Sequence, residues 1–418
     1  MPDVKNSYLK EHMTFGAVII PHHPHNGNPA WQLRKDIKLA QDLEQFGFDE
    51  VWVGEHHANG SEIICDPALM LAAIGERTEK IKLGTGVVSM SYHHPYVVAN
   101  RMAQLDNMTR GRVMMGTGPG KLPIDAHMMG IDTTVQRRRQ TEAVDACVRL
   151  LRGEVVNMET DWFVLRDAQL QLVPYNGPGE MEILAAAMYS PAGPMLAGKF
   201  GISLFSLAAG TPEGFAVIDK NWQVYEETCQ ANGHVARRDK WRLMGPMFLG
   251  NSRAEVDRAV AQRMPYHVEY VSETVKLFNP GDTDWMTSPQ KTVDRWRSDE
   301  GIPIFGKGVF GTPDEAIAEI ERLWGKTGGF GGYNILVFDF ADYAATYRSF
   351  ELFAEVVIPH FRAYRNRSRV RSLHYVQERA EMLFKPMAKD TMAANQEYAE
   401  SRGDAALPAA PNLLGKAV

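Results

Sequence analysis

Phe48-Asp-Glu-Val-Trp-Val-Gly-Glu-His-His57 decides the fold. Its short β-favouring centre ends at a glycine, followed by one carboxylate and two imidazoles. A run this brief reads as a buried strand, and the charged residues fall where that strand hands over to the next segment. The arrangement recurs on both sides. Phe15-Gly-Ala-Val-Ile-Ile20 runs into His22-His23 and His25, and Ile81–Met90 runs into His93-His94. Between the strands lie amphipathic stretches. Pro29–Phe46 carries Leu33, Ile37, Ala40 and Leu43 at helical spacing, and Asp66-Pro67 has the cap and first-turn chemistry of another helix. Alternating strands and helices of this kind predict a parallel sheet, whose C-terminal strand ends form the functional face.

Further out, Val113–Thr117, Glu182–Ala187, Ile202–Ser206, Arg242–Leu249 and Tyr333–Phe338 supply five more strands. Eight βα units predict an α/β chain of the (β/α)8 TIM-barrel class rather than an open doubly wound sheet. Two stretches interrupt the rhythm. Asp161–Leu165 and Ala168–Val173 read as a hairpin insertion within residues 158–175. Residues 265–308 exceed an ordinary connection and read as an irregular, lid-like region. The composition shifts after Asn366, so residues 1–366 are expected to form the barrel domain and 367–418 a C-terminal extension. Within that extension Val376–Met392 reads as a helix and Asp404–Val418 as a mobile tail.

A chain of 418 residues with 45 basic and 51 acidic side chains carries a formal charge of -6, which gives no nucleic-acid footprint. Cys65, Cys147 and Cys229 are far apart and form no C-x-x-C pair, which fits a reducing cytoplasm. Met1–Glu11 is polar, and no stretch has the length and apolarity of a membrane span. The expectation is a soluble cytoplasmic protein.

Several motifs carry chemistry. His23-Pro24-His25 has the H-x-H spacing of metal-dependent barrels, but the strands that should supply further histidines end in Ala-Ala-Met188 and Ser206-Leu-Ala-Ala, so no metal is expected. His22 and His25 read rather as turn-capping residues. Gly116-Thr-Gly-Pro-Gly-Lys121 fails both the P-loop and the dinucleotide patterns. It is either a close backbone approach to a flat ligand or a tight barrel corner. Arg137-Arg138-Arg139 is either a phosphate clamp or a solvated face, and helix geometry lets only one or two of the three face the barrel. Ser190-Pro191-Ala192-Gly193 opens a helix, where free N–H groups and the Ser190 hydroxyl suit an anion.

Three of these stretches, taken together, resemble the bacterial luciferase-like flavin-dependent monooxygenases. They are Phe48–His57, Leu83-Gly-Thr-Gly-Val-Val-Ser-Met-Ser-Tyr-His-His-Pro95, and Leu105-Asp-Asn-Met-Thr-Arg-Gly-Arg-Val113 continuing into Gly116-Thr-Gly-Pro-Gly. The resemblance spans residues 14–362. Leu184-Ala-Ala-Ala-Met-Tyr-Ser-Pro-Ala-Gly-Pro194 is most similar to the limonene and diketocamphane monooxygenase branch.

The resemblance implies a barrel that binds reduced FMN at its mouth. His56 is implied as the catalytic imidazole, of near-neutral pKa, with Glu55 as the residue fixing its tautomer and His57 beside flavin or substrate. A non-proline cis peptide at Gly86-Val87 is implied against the flavin ring. Arg137, Ser190 and Gly193 are implied as phosphate contacts. Gly118 and Tyr189 stand at cofactor positions where true luciferases carry a reactive Cys and a Glu, and Pro119 replaces an Arg. Light emission is therefore not expected. The implied chemistry joins FMNH2 and O2 in a C4a-peroxyflavin that oxygenates a small apolar terpenoid or cyclic ketone. A separate NAD(P)H:flavin reductase would supply FMNH2, and the barrel would be a homodimer. The rivals are an F420-dependent oxidoreductase on the same barrel and a flavin-binding paralogue without catalysis.

Overall fold

A computed structural model describes residues 4–20, 22–275 and 284–403. The chain divides into two units, residues 1–361 and 362–418, the break falling a little before the expected 366/367 boundary. The first unit is a closed barrel of eight parallel strands: β1 (Thr14–Ile19), β2 (Glu50–Val53), β3 (Lys82–Ser89), β4 (Val113–Gly118), β5 (Glu182–Ala187), β6 (Ser203–Ser206), β7 (Arg242–Leu249) and β8 (Gly332–Val337). β8 closes on β1 with Thr14 opposite Gly332, and β7 pairs with both β6 and β8. This is the (β/α)8 TIM barrel that the strand-helix rhythm predicts.

Local chemistry sets the helix starts. Asn28, Asp66 and Thr211 each cap backbone N–H groups ahead of a proline in the first turn, and Thr312 forms a capping box with Glu315. Strand alternation sorts the core. Phe15, Ala17, Ile19, Val51 and Val53 pack outward under the helices, while Val18, Trp52, Met114, Leu184, Phe205 and Leu336 fill the barrel. Gly84 is required here, because a Cβ at that position would collide with the Trp52 indole. At the N-terminal end Arg242 is buried between Glu50 and Glu182, with Nε to Glu50 Oε2 and Nη1 to Glu182 Oε1 both at 2.8 Å.

Three expectations need correction. The hairpin is Val156–Glu159 against Val164–Ala168, not Asp161–Leu165 against Ala168–Val173. Beyond Ala168 the backbone is satisfied by helix side chains instead of a partner strand: Tyr96 donates to the Gln169 carbonyl and Asn107 to the Val173 carbonyl. Residues 265–308 are mostly helical where described, with 298–308 irregular as expected. They hold helices Met264–Val275 and Pro289–Arg297; Met264 and Val271 of the first, and Val293 and Trp296 of the second, join the barrel-interior core at helical spacing. Residues 276–283 lie outside the described residues. A short strand, Val309–Gly311, then pairs with the end of β7. In the second unit the helix is Arg367–Arg402, longer than Val376–Met392 at both ends. The expected mobile tail, 404–418, lies outside the described residues.

Candidate active site

The histidine turns converge at the C-terminal mouth, where Glu55 is shared by His57 and His93 and Glu62 by His22 and His56. β2 ends at Val53, so Glu55, His56 and His57 stand on the turn that follows. Glu55 has no exposed side-chain surface. Its Oε1 accepts from His57 Nε2 at 2.9 Å and His93 Nε2 at 2.6 Å, and its Oε2 accepts from the Ser89 amide at 2.8 Å. Burial opposes charge on Glu55, but these hydrogen bonds overcome it and hold the carboxyl at about 2. The expectation that Glu55 fixes His56 is therefore wrong. Neighbouring side chains on extended backbone diverge, so Glu55 reaches His57 two residues on.

His56 is held by two other carboxylates. Its Nε2 lies 2.8 Å from Glu62 Oε2 and its Nδ1 3.4 Å from Asp125 Oδ2. Burial works against the imidazolium, yet Glu62 and then Asp125 outweigh it and push the pKa up to about 10. The near-neutral His56 expected from the sequence is thus replaced by one whose carboxylate partners favour the charged form at neutral pH. Asp125 also accepts from the His57 backbone N–H at 3.1 Å. His57 is raised as well, by its Glu55 hydrogen bond. The side chains of His56 and His57 each keep 18% of their surface exposed.

Glu55, His57 and His93 bring three possible metal-ligand atoms within 4.8 Å of one another. Ligands of a tetrahedral zinc with bonds near 2.0–2.1 Å stand roughly 3.3 Å apart. The 2.6 and 2.9 Å contacts here are those of shared protons.

The first histidine turn splits three ways. His22 Nε2 lies 3.3 Å from Glu62 Oε1, its Nδ1 is 3.1 Å from His267 Nδ1, and its ring stacks on Phe338 at 4.0 Å. Burial lowers the pKa of both His22 and His267, so this pair is neutral. His23 binds Asp36 at 2.9 Å with Asp339 beside it, and His25 contacts the Ser61 hydroxyl at 2.8 Å. His23 and His25 face different partners, so the H-x-H spacing builds no shared cation site. Of the two suggested turn-capping residues, His25 meets a turn hydroxyl, whereas His22 is an interior ring. Phe305, Phe338, Phe340 and Trp296 complete an aromatic cluster around His22 and His267.

The other side of the mouth gathers the remaining predicted residues. The Gly86-Val87 peptide is cis and coincides with a register shift in the β3–β4 pairing. Gly118 lies flush against Val87, where a Cβ would meet Val87 Cγ2 at 2.6 Å. Arg137 Nη1 donates to Ser190 Oγ at 3.1 Å. Arg138 turns to Asp161 and Glu142, and Arg139 lies over Trp162, so one of the three arginines faces the rim. Lys121 is near enough for Arg137 to add to burial in lowering its pKa. Tyr189 is 38% exposed and bonded to Thr211. Gly193 packs without a side chain against Ala186 and Ala187, which seats its helix on the end of β5.

Sequence reasoning missed Glu62, Asp125 and His267, and gave Lys121 no role beyond its place in the glycine-rich motif. Leu122-Pro123 with Asp125 in the first turn marks the short helix Pro123–Met128 and was a usable signal. Glu62 had none.

Fold and site define a (β/α)8 barrel enzyme with its polar machinery at the C-terminal mouth. The model of the luciferase-like monooxygenase family matches residues 13–329, and the chain belongs to that family. It is 39% identical over 348 residues to limonene 1,2-monooxygenase of Rhodococcus erythropolis, covering 83% of this chain and 86% of that one. It is also 39% identical over 355 residues to 4-hydroxyprotoasukamycin monooxygenase of Streptomyces nodosus subsp. asukaensis, covering 84% and 93%. The oxygenating constituent of 3,6-diketocamphane monooxygenase from Pseudomonas putida, solved with FMN, superposes with a TM-score of 0.65 at 23% identity, over 83% of this chain and 98% of that one. The protein is accordingly a monooxygenase of limonene monooxygenase type.

Proposed function

We propose that the protein oxygenates a small apolar organic substrate, of terpenoid or cyclic-ketone size, with reduced FMN and O2. A separate NAD(P)H:flavin reductase supplies the reduced flavin. The observation that carries this reading is the Arg137–Ser190 contact of 3.1 Å on the rim, with Lys121 beside it. A cationic fork, a hydroxyl and a second cation suit a terminal phosphate. Relatives of this chain include the oxygenase component of a flavin-dependent trigonelline monooxygenase, which supports the two-component reading.

Bound reduced flavin supplies the activation of O2. The chain's own residues do the rest. His56, fixed between Glu62 and Asp125, is favoured in its charged form at the mouth by those two carboxylates. His57 commits Nε2 to Glu55, which leaves Nδ1 as the nitrogen that exchanges a proton with the reacting oxygen. Behind Glu62 the buried cluster of His22, His267, Trp296 and Phe338 keeps water from that side of the site. The test is turnover of a terpenoid and cyclic-ketone panel with photoreduced FMN under 18O2. Labelled product is expected. No label with any substrate, or oxidation of reduced F420 instead, would overturn the reading.

A further inference from the structure

Glu55 serves two imidazoles at once. His56 lies between Glu62 and Asp125, and His22 also reaches Glu62. Among the described residues, Glu55 is the carboxylate paired with the rings of His57 and His93. Both rings present Nε2 to the same oxygen, Oε1, at 2.9 and 2.6 Å. They arrive from different strands. His57 follows β2 on the turn that carries Glu55, and His93 follows the 3-10 turn Met90–Tyr92 at the end of β3. The Ser89 amide, the last of β3, holds Oε2 at 2.8 Å. Glu55 is thus tied to the end of β3 through both oxygens, and its single negative charge is divided between two imidazole donors.

A carboxylate oxygen that already accepts one short hydrogen bond holds a second N–H less strongly, and one negative charge cannot neutralise two imidazoliums. His93, the nearer of the two rings, therefore weakens the pull of Glu55 on His57. The remaining groups at His57 act from other directions. Asp125 adds a negative charge and His56 a positive one. Tyr92 meets the His57 ring edge-on at 6.0 Å, and its hydroxyl accepts from Gln136 at 3.1 Å. The side chains of His57 and His93 keep 18% and 24% of their surface exposed, so both rings reach solvent.

We infer that His93 is a positioning residue that takes a share of Glu55 Oε1 and so lowers the pH at which His57 gives up its proton. On the reading of His57 Nδ1 given above, this sets where turnover responds to pH. Two measurements on the full-length protein test it. Histidine Cε1–H resonances, with His57 assigned by its loss in His57→Gln, follow the ring directly, and the pH profile of turnover follows its use. His93→Phe keeps a ring but removes the N–H. The His57 midpoint should rise by about one pH unit, and the matching limb of the turnover profile should move with it. His93→Leu replaces His93→Phe should that variant fail to fold. His93→Gln returns an N–H to Oε1 and should bring both readouts back towards wild type. A His57 midpoint that stays in place or falls on loss of the His93 N–H would overturn the role of His93, whatever the turnover. So would a Gln variant that titrates like the Phe variant. A midpoint that rises while the turnover profile stays put would uphold the hold of His93 on His57 and overturn instead the use of His57 in the reaction.

Discussion

At the N-terminal end of the barrel Arg242 sits between Glu50 and Glu182; at the C-terminal end His56 sits between Glu62 and Asp125. Both are cations flanked by two carboxylates. The lower cluster is closed. Its guanidinium cannot lose a proton, and Lys240 and Ser203 take up the remaining lone pairs of Glu182. The upper cluster is built from titratable rings, keeps two of them partly exposed, and continues through Glu62 and His22 to His267 on the Met264–Val275 helix. One design suits stability, the other proton handling, and conversion of either into the other's behaviour would break the comparison.

The largest expected effect is on turnover. His57→Ala should lower product formation by about 10²–10⁴, the usual range for loss of a positioned acid–base group, and raise hydrogen peroxide release. Flavin affinity should be unchanged. Turnover within a few fold of wild type would remove His57 from the mechanism and return the catalytic role to His56. Next comes the lower cluster. Arg242→Ala leaves two buried carboxylates without their cation and should cost about 3–5 kcal/mol in denaturant unfolding. Activity per folded molecule should be kept, and a loss under 1 kcal/mol would show that water already screens the site.

The two ends also differ in how far they could be read from sequence. β2 and its turn were legible because Val51–Val53 is short, apolar and glycine-bounded, and Arg242 opened a recognisable strand. The upper partners were not, because hydrogen-bonded pairs such as His22–His267 join residues 245 apart through the closed barrel. Glu62 sits on a loop without periodicity, so no pattern marked it. The cis bond at Gly86-Val87 and the Arg137–Ser190 pair were reached through the family resemblance, whereas the residues alone left the arginine run undecided. The helical content of 265–308 was present in the spacing of Val293 and Trp296 but hidden by the length of the stretch.

A smaller effect concerns the rim. Arg137→Ala should weaken FMN binding by about 1.5 kcal/mol, the low end for a hydrogen bond to a charged group because the side chain faces solvent. Riboflavin, without a phosphate, should bind as before. Equal weakening of both would show that Arg137 supports the fold of the rim and not the phosphate.

The subtlest contrast is in pH. His56 has a folded-state pKa of about 10 against an ordinary 6.5, so its ion pair contributes stability fully below pH 6.5, and that contribution is lost as pH rises through 10. Glu55, held at about 2 against 4.5, acts in the opposite sense: its contribution is present above pH 4.5 and lost as pH falls through 2. Denaturant midpoints for the wild type should therefore decline from pH 6.5 towards 10. Glu62→Gln leaves Asp125 as the one counter-charge on His56, so that alkaline decline should flatten while the Glu55 part of the acid limb persists. Arg242→Ala should shift the whole curve down without changing its alkaline slope, since a guanidinium does not titrate there. A wild-type curve that is flat from pH 6.5 to 10 would mean that His56 is not held as a cation, and the contrast between the two ends of the barrel would reduce to one of exposure alone.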